Sequence, residues 1–376
     1  MNKIPRSKDK PLFTPGPLTT STTVKQSMLT DLGSRDEAFI QVIQRIRRSL
    51  VRLAGADEKT FTAIPIQGSG TFGLEAVVSS AVPPDGTLLV AINGAYGHRI
   101  AKMAELHDVP VSKLPFPEDD WVTPESVCEA LKGDEQISHV CVVHCETTTG
   151  IVNPVKEIGQ CVREEKRFFF VDAMSSFGAV PLDVEEACVD YLVSSANKCI
   201  EGVPGFSFVL ARLNALRETK GWARTLSLDL LDQYNGLERN GQFRFTPPTH
   251  AMLAFDQALR ELEEEGGVEG RANRYRANHD TLLAGMRRMG FKEYLSPDKQ
   301  SHIITSFLYP DEDSFQFESF YDGLNRRGYV IYPGKVSSAE CFRIGTIGRL
   351  FPSDVADLLH AISEVAIEMG LKLPSQ

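Results

Sequence analysis

The sequence predicts an α/β protein with a large, mostly parallel sheet covered on both faces by helices, followed by a smaller C-terminal α+β unit. Three observations carry this. Short, continuously apolar runs rich in β-branched and aromatic residues recur along the first two thirds of the chain. Amphipathic stretches of helical spacing separate several of them. After about residue 255 the pattern changes to long charged helices with fewer strands.

In chain order, the strand-like runs are Thr62–Ile66, Leu88–Ile92, Val109–Leu114, His139–His144, Phe168–Asp172, Tyr191–Ser194 and Phe206–Leu210. Most are continuously apolar rather than alternating, as strands covered on both faces are. Thr71–Ala81, Pro124–Leu131 and Pro154–Glu164 lie between them with helical spacing. Phe206–Leu210 follows its predecessor too closely for a helical crossover, so it is expected to run antiparallel. Beyond them come the helix Ala251–Glu265, the basic helix Arg271–Met289, the strand His302–Leu308 and a helix near Phe315–Arg326. Strands Tyr329–Tyr332 and Cys341–Ile344 and a final helix, Ser353–Met369, complete the unit. The expected division is an N-terminal arm (1–20), a large domain (21–255) and a small domain (256–376). In such sheets a ligand binds at the carboxyl ends of the strands.

The length of 376 residues, two to three times the modal domain size, agrees with two intimate units. Apolar residues make up 42% and charged residues 24%, which excludes a disordered or fibrous chain. Apolar runs such as Val140–Val143 fall far short of the roughly 20 residues that span a bilayer. The opening Met1–Lys10 has no apolar core of a signal peptide, so a cytoplasmic protein is expected. A net charge of −10 opposes nonspecific nucleic-acid binding, which needs a basic surface. Seven cysteines, odd in number and without repeated spacing, are expected to be reduced thiols.

Gly68-Ser69-Gly70-Thr71-Phe72-Gly73 follows a strand and opens a helix. It matches the glycine pattern of dinucleotide folds, which also needs a carboxylate about 20 residues on to hold a ribose. The next strand ends in Asn93-Gly94 instead. The element remains a candidate phosphate cup, because glycines let backbone amides approach an anion at a positive helix end; a structural turn is the bland alternative. Ser195-Ala196-Asn197-Lys198 has the spacing of serine acyl-transfer enzymes but lacks their companion motifs. Lys198, just past a strand, is either a solvated loop lysine or a nucleophile whose pKa burial has lowered.

Asp172 favours the second reading. It ends the strand Phe168-Phe169-Phe170-Val171, where an unpaired carboxylate is costly and needs a cation or donor. A protonated pyridine nitrogen is one such partner; an arginine or helix N-terminus is another. Strand-end Asp172, strand-end Lys198 and the upstream cup together suit pyridoxal phosphate, with the phosphate in the cup, the aldehyde carbon on Lys198 and the ring nitrogen on Asp172. Cys141, His144 and Cys145 alternate along one strand and do not converge, so no metal site is expected.

With these residues in place, the sequence resembles the class V aminotransferases of fold type I pyridoxal-phosphate enzymes over nearly its whole length. The resemblance rests on Phe13-Thr14-Pro15-Gly16-Pro17, Gln67-Gly68-Ser69-Gly70, Asn93-Gly94-Ala95-Tyr96-Gly97 and His144-Cys145-Glu146-Thr147-Thr148-Thr149-Gly150. Asp172-Ala173-Met174-Ser175-Ser176, Asn197-Lys198-Cys199, Phe245-Thr246-Pro247-Pro248-Thr249-His250 and Phe342-Arg343-Ile344-Gly345 complete it. It implies that Ser69, Gly70 and Thr71 bind the cofactor phosphate, that Tyr96 stacks on the pyridine and that Thr147 contacts its phenolic oxygen. It further implies that Asp172 pairs with the ring nitrogen and that Lys198 carries the cofactor. Thr246 and Thr249 are implied to reach the phosphate of a second subunit, making a homodimer with shared sites, and Arg343 to clamp a substrate carboxylate. The opening segment implies the branch of the family that transfers the amino group of 2-aminoethylphosphonate to pyruvate, with Arg35 a further candidate for the phosphonate. An alanine– or serine–glyoxylate transaminase is the alternative. A desulfurase using Cys341, a nicotinamide oxidoreductase and a noncatalytic regulator fit the same residues less well.

Overall fold

The computed structural model describes residues 9–334 and 339–374; residues 1–8 of the expected arm lie outside that range. After the arm come the short helix α1 (Thr22–Gln26) and α2 (Glu37–Leu53). Asp36 caps α2 by accepting from the Ala38 N–H, and Phe39, Ile43, Ile46 and Leu50 form its buried stripe. Strand β1 (Phe61–Gln67) leads into α3 (Gly70–Ala81), then β2 (Thr87–Ile92), α4 (Ala95–Leu106), β3 (Val111–Pro115), α5 (Pro124–Gly133) and β4 (Ile137–Val143). A two-stranded ribbon, β5 (Cys145–Glu146) and β6 (Ile151–Val152), precedes α6 (Val155–Glu164), β7 (Phe168–Asp172), β8 (Tyr191–Ser195) and β9 (Phe206–Arg212). Helices α7 (Leu213–Glu218), α8 (Leu230–Asn240) and α9 (Thr249–Glu264) close this part of the chain.

The central sheet has seven strands in the order β1-β9-β8-β7-β4-β2-β3. Pairs β2·β3, β2·β4, β4·β7 and β7·β8 are parallel, whereas β9 is antiparallel to both β8 and β1, as the short connection 196–205 requires. Because β1 therefore points the same way as β2, β4, β7 and β8, five strand ends meet along one edge. That edge receives the glycine cup after β1, Asn93-Gly94 after β2, the His144–Gly150 loop after β4, Asp172 at the end of β7 and Lys198 after β8.

The small unit holds α10 (Gly267–Arg288), β10 (Ile304–Leu308), α11 (Phe317–Arg326), β11 (Tyr332–Pro333), β12 (Cys341–Gly345) and α12 (Pro352–Glu368). Its sheet is antiparallel in the order β10-β12-β11 and carries an aromatic core of Phe291, Phe307, Phe315, Phe320 and Phe342. Phe13 of the arm is buried in this same core. Helix α9 runs without a break across residues 255 and 256, and its buried residues through Leu262 pack in the larger core. Among the described residues, no helix is long and apolar enough to cross a membrane.

Two expectations need correction. The strand expected over Tyr329–Tyr332 shrinks to Tyr332–Pro333, because Val330 is taken by the arm: the Phe13 N–H donates to the Val330 carbonyl at 2.8 Å and Leu12 bridges Val330. The seven cysteines are also not all reduced thiols. Cys128 on α5 and Cys161 on α6 are joined as a disulfide with Cα atoms 5.9 Å apart. Those helices pack side by side, a proximity that a separation of 33 residues in sequence conceals.

Candidate active site

The glycine cup is shaped by crowding. Gly68 has φ +109°, and its N–H donates to the Gly205 carbonyl, joining the cup to the turn that follows Lys198. A Cβ on Gly70 would lie 2.2 Å from the Met174 sulfur, so any larger residue at the start of α3 would have to displace the Met174 side chain in the turn after β7. Ser69 is the N-cap position of α3, is exposed, and makes no side-chain cap bond, which leaves its hydroxyl and the first amides of the helix available to an anion. Thr71, in that first turn, is half-buried.

Asp172 is 1% exposed and accepts one bond, from the Met174 N–H at 2.9 Å. Among the described residues no lysine, arginine or histidine lies within ion-pair distance of it. Burial, aided by the nearby Glu146 carboxyl, pushes its pKa up to about 7, against the smaller opposing effects of the Met174 amide, Lys198 and Arg99. The buried Lys198 ammonium is pushed in the opposite sense, its pKa lowered by burial. Its Nζ donates to the Pro15 carbonyl at 2.8 Å. Sequence reasoning missed that contact: the arm reaches the lysine through main chain, and Gly16, at φ +120°, must lack a side chain because a Cβ would sit 2.7 Å from Lys198 Cδ. The visible signal is a glycine between two prolines in a short apolar opening.

Arg343 lies on β12, 2% exposed. Its Nη1 donates to the Thr147 carbonyl at 2.6 Å, and Nε and Nη2 donate to the Pro333 carbonyl at 3.0 and 2.9 Å. Its guanidinium stands 5.1 Å from the centre of the Tyr332 ring. Among the described residues no carboxylate pairs with it, and burial lowers its pKa. A buried arginine satisfied only by carbonyls is a natural receptor for an anion.

Tyr96 stands in the first turn of α4, half-buried, with the Arg99 guanidinium 4.8 Å from its ring centre. Thr147 is buried in the loop between β5 and β6, and the Ser306 hydroxyl of β10 donates to the carbonyl of its neighbour Thr148 at 3.3 Å. Glu146, given no role from sequence, is fully buried and accepts from the Tyr96 and Thr148 N–H groups at 3.2 and 3.1 Å. The cost argument applied to Asp172 would have found it. Thr246 and Thr249 stand apart from this group. Thr246 is exposed and its carbonyl accepts from Gln67 at 3.3 Å, while Thr249 opens α9. Arg35, also exposed, lines the same surface hollow as Thr246. Cys341 is buried within strand β12, which does not suit the mobile catalytic cysteine a desulfurase needs.

The site thus offers a helix-end cup, a buried amine and, among the described residues, a buried carboxyl without a cation and a buried arginine without an anion. This donor set fits pyridoxal phosphate, because its phosphate, aldehyde and ring nitrogen complement the first three. The Aminotransferase class-V family model matches residues 21–339. A 2-aminoethylphosphonate–pyruvate transaminase of Phocaeicola vulgatus is 51% identical over 357 residues, covering 94% of this chain and 98% of that protein. An enzyme of the same name from Syntrophobacter fumaroxidans is 50% identical over 360 residues, covering 96% and 97%. Among solved structures, ureidoglycine–glyoxylate aminotransferase from Bacillus subtilis superposes with a TM-score of 0.90 at 24% identity, covering 99% of this chain and 97% of that one. Pyridoxamine–pyruvate aminotransferase from Mesorhizobium loti gives 0.89 at 25% identity, covering 98% and 95%. The family model over most of the chain and the similarity to these relatives over nearly its full length show that the chain belongs to the class-V aminotransferase family.

Proposed function

We propose that this protein is a pyridoxal-phosphate-dependent transaminase that transfers the amino group of 2-aminoethylphosphonate to pyruvate, giving phosphonoacetaldehyde and L-alanine. The relatives that are about half identical over nearly all of the chain carry that name. The single observation that carries the chemistry is Asp172, a buried carboxyl with one backbone donor and no cation within reach among the described residues, at the same strand edge as the buried amine of Lys198.

When bound, pyridoxal phosphate supplies an electrophilic aldehyde and a cationic ring that takes up the electron pair left as a substrate carbon loses its proton. Ser69, Gly70 and Thr71 would hold the phosphate at the start of α3. Asp172 would keep the ring nitrogen protonated: Met174 occupies one carboxylate oxygen and leaves the other to accept from it. Tyr96 would cover one face of the ring, and the Thr147 hydroxyl would bond the phenolic oxygen. Lys198 would hold the cofactor at Nζ. Once released, with its charged form disfavoured by burial, it takes the proton from C1 of 2-aminoethylphosphonate as general base; in the second half it returns a proton to the carbon that becomes Cα of alanine. Arg343 binds the pyruvate carboxylate through its planar fork and serves the phosphonate in the first half. Thr246 and Thr249, which stand apart from this chain's own site, would complete the phosphate site of a second subunit, so the active unit would be a homodimer.

The test combines purified protein, cofactor, 2-aminoethylphosphonate and pyruvate, and measures alanine. Alanine forms with this pair and falls sharply when β-alanine or taurine replaces the donor. Equal or greater turnover with those decoys, or with alanine or serine and glyoxylate, overturns the assignment. Initial-velocity lines should be parallel, as a ping-pong exchange requires.

A further inference from the structure

Glu146, the last residue of β5, has 0% exposure. One carboxylate oxygen, Oε1, accepts from the Thr148 N–H at 3.1 Å and from the Thr148 hydroxyl at 2.6 Å. The other, Oε2, accepts from the Tyr96 N–H at 3.2 Å. The carboxyl therefore sits at the positive end of α4, a helix of 12 residues, while gripping the loop that joins β5 to β6. Those two segments carry separate parts of the site. Tyr96 belongs to the first, and the Thr147 carbonyl, which receives Arg343 Nη1 at 2.6 Å, belongs to the second.

The space it occupies is reserved by the other segment. A Cβ on Gly94 would lie 2.3 Å from Glu146 Cγ and 2.6 Å from Oε2. The Gly94 backbone is extended, so any residue could adopt it; glycine is required there for room alone. The Asn93–Gly97 and Glu146–Gly150 motifs are thus two halves of one joint. Glu146 also acts at a distance on the groups around it, raising the Asp172 pKa and favouring the charged form of Arg343.

We propose that Glu146 is a positioning residue that clamps the Tyr96 turn to the Thr147–Thr149 loop, holding the aromatic ring and the Arg343 fork in one frame; this rests on the transaminase reading above. A carboxylate is needed because every group facing it is a donor. An amide in its place turns its donors against the Tyr96 N–H or against Thr148, whichever way it is rotated. A buried carboxylate that merely caps α4 makes a different prediction, a loss of stability with unchanged kinetics.

The experiment compares wild type, E146Q, E146D and G94A as cofactor-loaded protein. It records kcat and KM for both substrates, the visible circular-dichroism band of the bound cofactor, and the thermal midpoint. In E146Q, kcat/KM for pyruvate falls about tenfold or more, as expected when buried donors lose their acceptor. The loss falls mainly on KM, and the dichroism band changes because the ring at 96 moves. E146D, which keeps the charge, retains more activity than E146Q. G94A reproduces the E146Q changes by filling the carboxylate's space, and the double variant G94A/E146Q is no worse than the worse single one. The proposal is overturned if E146Q lowers the thermal midpoint but leaves KM, kcat and the band at wild-type values. Should E146Q fail to accumulate as folded protein, G94A decides by the same criteria. A wild-type protein that takes up no cofactor, or makes no alanine from the pair, instead refutes the transaminase reading and this inference with it.

Discussion

Replacing Asp172 with asparagine should stabilise the cofactor-free protein at alkaline pH while removing its catalytic use. The carboxyl has a pKa of about 7 in the folded protein against an ordinary value of 3.8. Between these values the native state keeps a proton that the unfolded chain has lost, so stability declines as pH rises, by about 1.4 kcal/mol per pH unit. Below the lower value both states are protonated and nothing is lost. Above the upper value the loss is complete, with a ceiling of about 4 kcal/mol for the gap between about 7 and 3.8. An asparagine at this position does not titrate, and its amide oxygen can still accept from the Met174 N–H.

The stability advantage of Asp172→Asn over wild type should therefore grow from about 1.5 kcal/mol at pH 5 to about 4 kcal/mol at pH 8. In a chain of this length that corresponds to a thermal midpoint several degrees higher at pH 8. The assay is thermal unfolding of both cofactor-free proteins across pH 5 to 8, with circular dichroism as the readout. Added pyridoxal phosphate should reverse the order, because the ring cation satisfies Asp172 and finds no ionic partner in the neutral amide of the variant. A difference that does not change with pH, or a variant less stable than wild type at pH 8, refutes the reasoning. Either result would mean that the carboxyl is solvated or already paired.

Three further substitutions test other parts of the site. Arg343→Lys should keep cofactor uptake but lower kcat/KM in both half-reactions by about tenfold or more, since one point charge replaces a planar fork; undiminished turnover removes Arg343 from the site. Lys198→Ala should still bind cofactor in equilibrium dialysis yet show no borohydride-fixed adduct and no alanine formation; full activity ends the assignment of the nucleophile. Gly16→Ala combines a left-handed φ of +120° with a Cβ 2.7 Å from Lys198 Cδ. It should cost about 1–3 kcal/mol in unfolding stability and slow borohydride fixation. Wild-type values for both measurements would show that the arm does not press on the lysine.

The sequence alone determined the sheet, its single antiparallel strand and the residues at its carboxyl edge. Those features are local: continuous apolar runs, a connection too short for a helix, and a carboxylate or amine placed where a buried strand ends. Asp172 was legible because the cost of burying a charge is high enough to demand a partner wherever the chain folds. The same argument reaches Glu146, whose fully buried carboxyl likewise demands donors. Tertiary structure alone decided what lies opposite each residue. The Pro15 carbonyl meets the Lys198 amine across 183 positions and the Thr147 carbonyl meets Arg343 across 196. Likewise Val330 pairs with the arm instead of extending β11, and Cys128 faces Cys161 between two helices. Such pairings depend on how strands order themselves and how the small unit docks, and no short-range pattern in the chain encodes them, because the side chains involved acquire their partners only when separate segments are packed together.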